Sequence, residues 1–136
     1  MTLVDTNVLL DILARDPVWF DWSIEALVRF GAAGPLLINE VVYAEMSARL
    51  ETQSQVEEAI EELGVLLNRI PVEGLFLAGQ TFRRYRRAGG VRTGVLPDFF
   101  VGAHAQVMGL PLLTRDLRRY RTYFPGVHLI TPEAHR

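Results

Sequence analysis

The sequence predicts a three-layer α/β/α sandwich with a small central parallel sheet, and three observations carry that prediction. Short uninterrupted apolar runs recur along the chain, stretches with apolar residues at i, i+3 and i+4 separate them, and Gly and Pro punctuate the joins. Continuous apolar strands alternating with helices are the pattern of a parallel sheet covered on both faces. At 136 residues the chain is the size of a single domain, 1–136. A chain of this length buries roughly 68% of the surface its unfolded form exposes, enough for a core without disulfides or a structural metal.

The first strand is "TLV" at 2–4, and Asp5 stands directly behind it, ahead of a Thr-Asn step and a first helix on which Asp11 reads as solvent-facing. Helical spacing then runs over 18–30, and "GAAGP" at 31–35 ends that helix and leads into a second strand, "PLLIN", at 35–39. Further helical segments are expected at 40–50 and 55–68, followed by a weak strand, "RIPV", at 69–72 and another helix over 74–88. "RRAGGVRTG" at 86–94 reads as a mobile loop. "LPD" at 96–98 places a Pro near the first turn of a helix over 98–108, where its missing N–H costs nothing. "GLP" at 109–111 leads into the strand "PLLT" at 111–114, and "VHLIT" at 127–131 forms the last strand.

Composition narrows the function. Cysteine is absent, which excludes disulfide scaffolds and thiolate chemistry and suits a reducing compartment. Asp5, Asp11 and Arg15 break up the N-terminus, and no window approaches the ~20 apolar residues of a membrane span, so the chain reads as soluble and cytoplasmic. The net charge of −2 conceals a polarity: residues 1–68 carry 3 Arg against 12 acids, and residues 69–136 carry 11 Arg against 4. Halves of opposite sign suggest a basic surface that meets phosphates. All 14 basic residues are Arg. GC-rich codon usage is the plainer explanation of that bias, and any mechanism that needs a lysine is excluded all the same.

In an open parallel sheet, ligands bind beyond the carboxyl ends of the strands. Asp5 follows the first strand, Asn39 closes the second, Glu45 lies in the second turn of the next helix, Asp98 opens a later helix, and Asp116 lies two residues past "LLT". Taken singly, Asp5 is a helix cap contributing about 1 kcal/mol, Asp98 complements a helix dipole, Glu45 is an ordinary helix residue and Asp116 caps a turn. If they converge, a cation must sit among them or some must be protonated: two carboxylates about 4 Å apart repel by ~4 kcal/mol at an effective dielectric near 20. Oxygen ligands without Cys or a His pair select a hard cation, Mg²⁺ or Mn²⁺, and such sites handle phosphates. Glu40 is set apart from these acids, because five helical residues from Glu45 correspond to about 140° of rotation. His104 interrupts the small residues Gly102, Ala103 and Ala105, which let their helix approach the sheet; a lone His there is packed or hydrogen-bonded more often than catalytic.

A haloacid dehalogenase-like phosphatase would need an acid where Asn7 stands and a Lys, and a receiver domain would need paired acids at its start and a Lys near its end. Instead, "LVDTNVLLD", "INEVVYAEM", "LPDFFVGAHAQVMGLPLLTRD" and "RRYRTYFPGVHLITP" resemble, in order and spacing, the four blocks of a PIN domain, specifically a VapC-type toxin. The resemblance implies a metal-dependent endoribonuclease that leaves 5′-phosphate and 3′-hydroxyl ends, the toxin component of a type II toxin-antitoxin system, with a cognate VapB-type antitoxin as partner and a homodimer as the common assembly. By position it makes Asp5, Glu45, Asp98 and Asp116 the catalytic acids, with Asp5, Asp98 and Asp116 holding Mg²⁺ or Mn²⁺. Asn7 and Thr114 become their polar companions, and Asn39 stands where family members often have Ser. Arg115, Arg118, Arg119 and Arg121 form a cluster suited to RNA phosphates, with Arg83, Arg84, Arg86, Arg87 and Arg92 a second; a solvated face, or ion pairs with Glu57, Glu58, Glu61 and Glu62, is the plainer alternative. Trp19, Phe20, Trp22, Val42, Tyr43 and Met46 offer surface for a dimer or antitoxin, or else belong to the core. DNA cleavage by the same acids and a non-catalytic PIN-like RNA- or protein-binding module remain the competing functions.

Overall fold

The computed structural model describes residues 1–90 and 96–132. Its elements run β1 (Thr2–Val4), α1 (Thr6–Leu13), α2 (Phe20–Ala33), β2 (Leu36–Ile38), α3 (Glu40–Ser47), α4 (Gln53–Leu63), β3 (Val65–Leu67), α5 (Val72–Arg87), α6 (Leu96–Met108), β4 (Leu112–Leu113), α7 (Leu117–Arg121) and β5 (Leu129–Ile130). The five strands form one parallel sheet in the order β3-β2-β1-β4-β5. The chain therefore builds outward from β1 on one side, crosses back through α5 and α6, and completes the other side. β1 and β4 flank the point where the direction reverses, and a crevice opens at the carboxyl ends of strands so arranged.

Burial follows from that position. Every residue of β1, β2 and β4 is buried, whereas at the edge strand β3 only Val65 is, with Leu66 and Leu67 left 59% and 50% exposed. Leu3 sits between Leu37 and Leu112 in register, and the ladder continues past the strands: Asp5 N–H donates to Leu113 C=O at 2.9 Å, and Thr114 N–H to Ile130 C=O at 3.1 Å. Asp5 and Thr114 thus leave the sheet side by side.

Two expectations change. "RIPV" is not a strand; Pro71 instead stands at the N-cap of α5. The third strand lies earlier, at Val65–Leu67, because α4 stops at Leu63 and Gly64 takes the left-handed conformation (φ 71°) that ends a helix without a Cβ penalty. Of the expected loop at 86–94, Arg86 and Arg87 complete α5 and Gly89 turns the chain at φ 94°; residues 91–94 lie outside the described residues. The aromatic surface also divides: Val42 and Met46 are fully buried, and Trp19, Phe20, Trp22 and Tyr43 are half-buried. No described helix is long and apolar enough to cross a membrane.

Gly102 has a more particular role than letting its helix approach the sheet. A Cβ there would fall 2.4 Å from the Phe124 ring, so the gap on α6 is filled by a buried aromatic that follows α7. Ala103 and Ala105 are buried as well.

Candidate active site

Asp5 is only 3% exposed, and its surroundings are built to hold a carboxylate there. Its Oδ1 accepts the Thr6 N–H at 2.8 Å. Its Oδ2 accepts the Tyr120 hydroxyl at 2.7 Å, the Thr114 hydroxyl at 2.9 Å and the Asn7 amide at 3.4 Å. The cap role is real but minor, since three of the four donors do not come from the backbone of α1. Burial pushes the Asp5 carboxyl above its ordinary range, opposed by the bonds from Tyr120, Thr114 and Thr6. The same burial, with Asp5 beside it, pushes the Tyr120 phenol well up, so Tyr120 stays a donor.

Asn7 and Thr114 tie the first and fourth blocks together. The Asn7 amide donates to Thr114 Oγ1 at 3.2 Å and its Oδ1 accepts the Arg115 N–H at 3.3 Å, while Thr114 Oγ1 accepts the Asp116 N–H at 3.1 Å. Glu45, on the second turn of α3, accepts the Thr6 hydroxyl at 2.6 Å and so faces the same cleft as Asp5. Glu40 points elsewhere, as the helical rotation requires: its Oε1 accepts the Ile70 N–H at 2.9 Å.

Asp98, in the first turn of α6, is raised to about 6, first by burial and then by the negative charges of Asp5, Glu45 and Asp116, against the pull of Arg119. Asp98 therefore lies within electrostatic reach of the other three acids. Among the described residues, however, no three acid or histidine side chains are gathered as a ready-made metal cage. Arg119 supplies the physical reason. Its guanidinium lies 2.7 Å from Asp116 Oδ2 and 3.3 Å from Asp98 Oδ1, bridging the two acids, and Asp116 Oδ1 also caps α7 through the Arg119 N–H. The donor set nonetheless fits a hard cation. It is all oxygen, it carries more negative charge than Arg119 cancels, and Asp5 Oδ1 takes only one neutral donor and so keeps a lone pair to offer.

A cleft of about 480 Å³ opens at this edge, lined by Asp5, Asn7, Glu45, Asp11, Arg115 and Arg119 among others. Asp11 corrects the sequence reading: it is 3% exposed, not solvent-facing. Arg115 donates to both its oxygens, at 2.8 and 3.1 Å, and Ser23 donates to Oδ2 at 2.9 Å, while the Trp19 ring covers the guanidinium at 5.5 Å. Arg115 and Arg119 are thus both paired, whereas Arg118 and Arg121 are exposed and make no ion pair among the described residues. Nor, among those residues, does an ion pair join the arginines of α5 to the acids of α4. Arg84, Arg86 and Arg87 occupy the last turn of α5, where the helix dipole favours them.

His104 is part of the packing. Asn39 caps α3 through Oδ1, accepting the Val42 N–H, which turns its amide to donate to His104 Nδ1 at 3.2 Å. The protonated Nε2 then donates to Asn68 Oδ1 at 2.9 Å. Tyr120 is the residue that the sequence reading missed. It sits one helical turn after Asp116, on the inward face of α7, a lone buried ring among the basic residues Arg118, Arg119 and Arg121, where a five-residue helix is too short to show an apolar period.

A family model described as the PIN domain matches residues 2–125. No curated protein matches the sequence. Among solved structures, VapBC2 from Rickettsia felis bound to a DNA fragment from its promoter aligns at a TM-score of 0.72 and 15% identity, over 96% of this chain and 97% of that one. A toxin-antitoxin complex from Klebsiella pneumoniae aligns at 0.66 and 23% identity, over 97% and 98%. VapBC-1 from nontypeable Haemophilus influenzae aligns at 0.71 and 15%, over 96% of each. At these identities the similarity is one of fold.

Proposed function

Because the chain belongs to the PIN domain family, we propose that it is a metal-dependent endoribonuclease, the toxin of a type II toxin-antitoxin pair whose partner is a VapB-type antitoxin. The observation that supports this reading is that Asp98 feels the charges of Asp5, Glu45 and Asp116, acids from three other segments, beside the crevice where the sheet reverses direction, with Arg119 bridging Asp98 to Asp116. The structural neighbours described as VapBC or toxin-antitoxin complexes support the choice of partner. A cytoplasmic site of action and a homodimer belong to the same reading.

Asp5, Asp98 and Asp116 would hold Mg²⁺ or Mn²⁺, with Glu45 completing the site. When bound, the metal supplies positive charge against the scissile phosphate and lowers the pKa of an attacking water. The protein's own part is positional. Tyr120, Thr114 and Asn7 fix Asp5 Oδ2 and leave Oδ1 with the Thr6 N–H alone, and the Thr6 hydroxyl holds Glu45 beside it. Arg119 neutralises Asp98 and Asp116 in the resting chain. A cation held by those acids would relieve Arg119 of that pairing, and its guanidinium would then be free to meet the phosphate.

The test is cleavage of purified RNA and DNA in Mg²⁺, Mn²⁺ or EDTA by the wild-type chain and by Asp5→Asn. RNA hydrolysis that needs the metal and is lost in Asp5→Asn is expected, with the variant's far-UV spectrum unchanged. Full activity in Asp5→Asn, free of contaminating nuclease, overturns the assignment, and metal-dependent cleavage of DNA alone replaces RNA as substrate.

A further inference from the structure

Beside the main cleft lies a second, smaller hollow of about 180 Å³, lined by Tyr85, Asp98, Phe99, Arg118, Arg119 and Tyr123 together with Thr122. The two share Arg119 as a wall, and Asp98 of the acid centre opens onto the smaller one. Their linings differ in kind. The main cleft presents carboxylates, guanidinium groups and amides, whereas the smaller hollow is walled chiefly by three rings.

We propose that this hollow is the pocket for a single nucleobase of the strand whose phosphate lies at the acid centre. The inference rests on the nuclease reading and adds a base-binding subsite to it. Tyr85 packs edge to face against Phe99 and Tyr123, with centroids 5.6 and 5.9 Å apart, and the tilted Phe99–Tyr123 pair closes the group at 5.2 Å. Phe99 is 3% exposed and belongs to the core, where it also meets Phe124. Tyr85 and Tyr123 are only half-buried, so each keeps ring surface for a further partner. Partly open rings with neighbouring arginines are what bind unstacked bases, through stacking that is tolerant of sequence.

Connectivity supports the placement. In a nucleotide only the sugar separates the base from its phosphate, so a phosphate met by Arg119 at the acid centre brings its base within reach of the adjoining hollow that Arg119 also lines. That hollow lies on the far side of Arg119. At well under half the volume of the main cleft, it takes one base and not a run of them. Arg118, exposed on the rim, is placed to pair with an adjoining phosphate.

The test measures the affinity of fluorescein-labelled, single-stranded oligoadenylate for the full chain carrying Asp5→Asn, with and without Tyr123→Leu or Tyr123→Phe. Tyr123→Leu is expected to weaken binding by about five- to 150-fold, the range for loss of one stacked base, and Tyr123→Phe, which restores the ring, to recover most of it. In a second arm that uses no ring variant, one abasic ribose is moved along the oligomer. One position is expected to weaken binding to the Tyr123-containing chain by a similar factor. Unchanged affinity in a folded Tyr123→Leu chain, or abasic substitutions that weaken binding at no single position, overturns the pocket. Loss of antitoxin binding with RNA affinity intact likewise overturns it, giving the hollow to a protein contact. Wild-type cleavage, run alongside, separates the two claims: a chain that cleaves RNA but ignores Tyr123→Leu keeps its activity and loses the pocket, and one that neither binds nor cleaves RNA loses both.

Discussion

Replacing Asp11 with Asn should lower stability and strengthen RNA binding at the same time. The carboxylate is 3% exposed and takes three bonds, two of them from the Arg115 guanidinium at 2.8 and 3.1 Å and one from Ser23 at 2.9 Å. Hydrogen bonds to charged groups contribute about 1.5–3 kcal/mol each. Asn keeps one acceptor oxygen, and the Arg115 side chain is 32% exposed, so water recovers part of the loss. The net cost is then about 2 kcal/mol, which for a domain of this size lowers Tm by roughly 6–8 °C. The same change frees a guanidinium on the wall of the cleft. In the Asp5→Asn background, RNA affinity at low salt should rise, and the slope of log K against log salt should steepen by about 0.7, the value for one more contact to a single strand. Thermal melts and a salt titration of RNA binding read both quantities. An unchanged Tm would return Asp11 to the status of a surface acid, and a shallower slope would mean that Arg115 contacts phosphate while still paired.

Arg119→Gln removes the cation between Asp98 and Asp116, so the metal-free chain should melt lower at pH 7, while the Tm rise on adding Mg²⁺ should exceed the wild-type rise; an equal rise would show that Arg119 does not stand in the metal's place. Gly102→Ala puts a Cβ 2.4 Å from the buried Phe124 ring and should cost about 1–3 kcal/mol by overpacking, read as a lower denaturation midpoint that Phe124→Leu partly restores. Burial holds the His104 pKa below its ordinary 6.5, opposed by the charge of Glu40. The folded chain therefore binds fewer protons at this group than the unfolded chain does once pH falls toward 6.5. Its contribution is complete above that value and is lost as pH drops through 6.5 toward the folded pKa. Between pH 7.5 and 5.5 the wild-type Tm should fall more steeply than that of His104→Gln, and parallel profiles would count against a buried neutral imidazole.

Local signals were enough for most of the architecture, and their failures have physical causes. Short, mainly apolar runs found β1, β2 and β4 because inner strands are buried on both faces, and they found the edge strand β5 because Gly126 sets its run apart from the helix before it. They misplaced β3 because an edge strand buries only Val65, so "VLL" blends into the helical pattern before it. Gly64 was the available stop signal, and its left-handed conformation marks the break. Asp11 misled for a different reason. A carboxylate on a short helix is exposed by default, and nothing near it in the sequence announces Arg115, 104 residues away.

By itself the sequence determined the alternation of strand and helix, the oxygen-only chemistry of a site without Cys or Lys, and which four acids stand at positions able to share one edge of a parallel sheet. Those follow from periodicity and composition, which are properties of the chain read locally. Only the tertiary structure decided how the acids are held and balanced: Tyr120 and Thr114 on Asp5, Thr6 on Glu45, Arg119 between Asp98 and Asp116, and Arg115 locked to Asp11. These pairings depend on burial and on contacts between distant segments. A buried charge must find its partner wherever the fold delivers one.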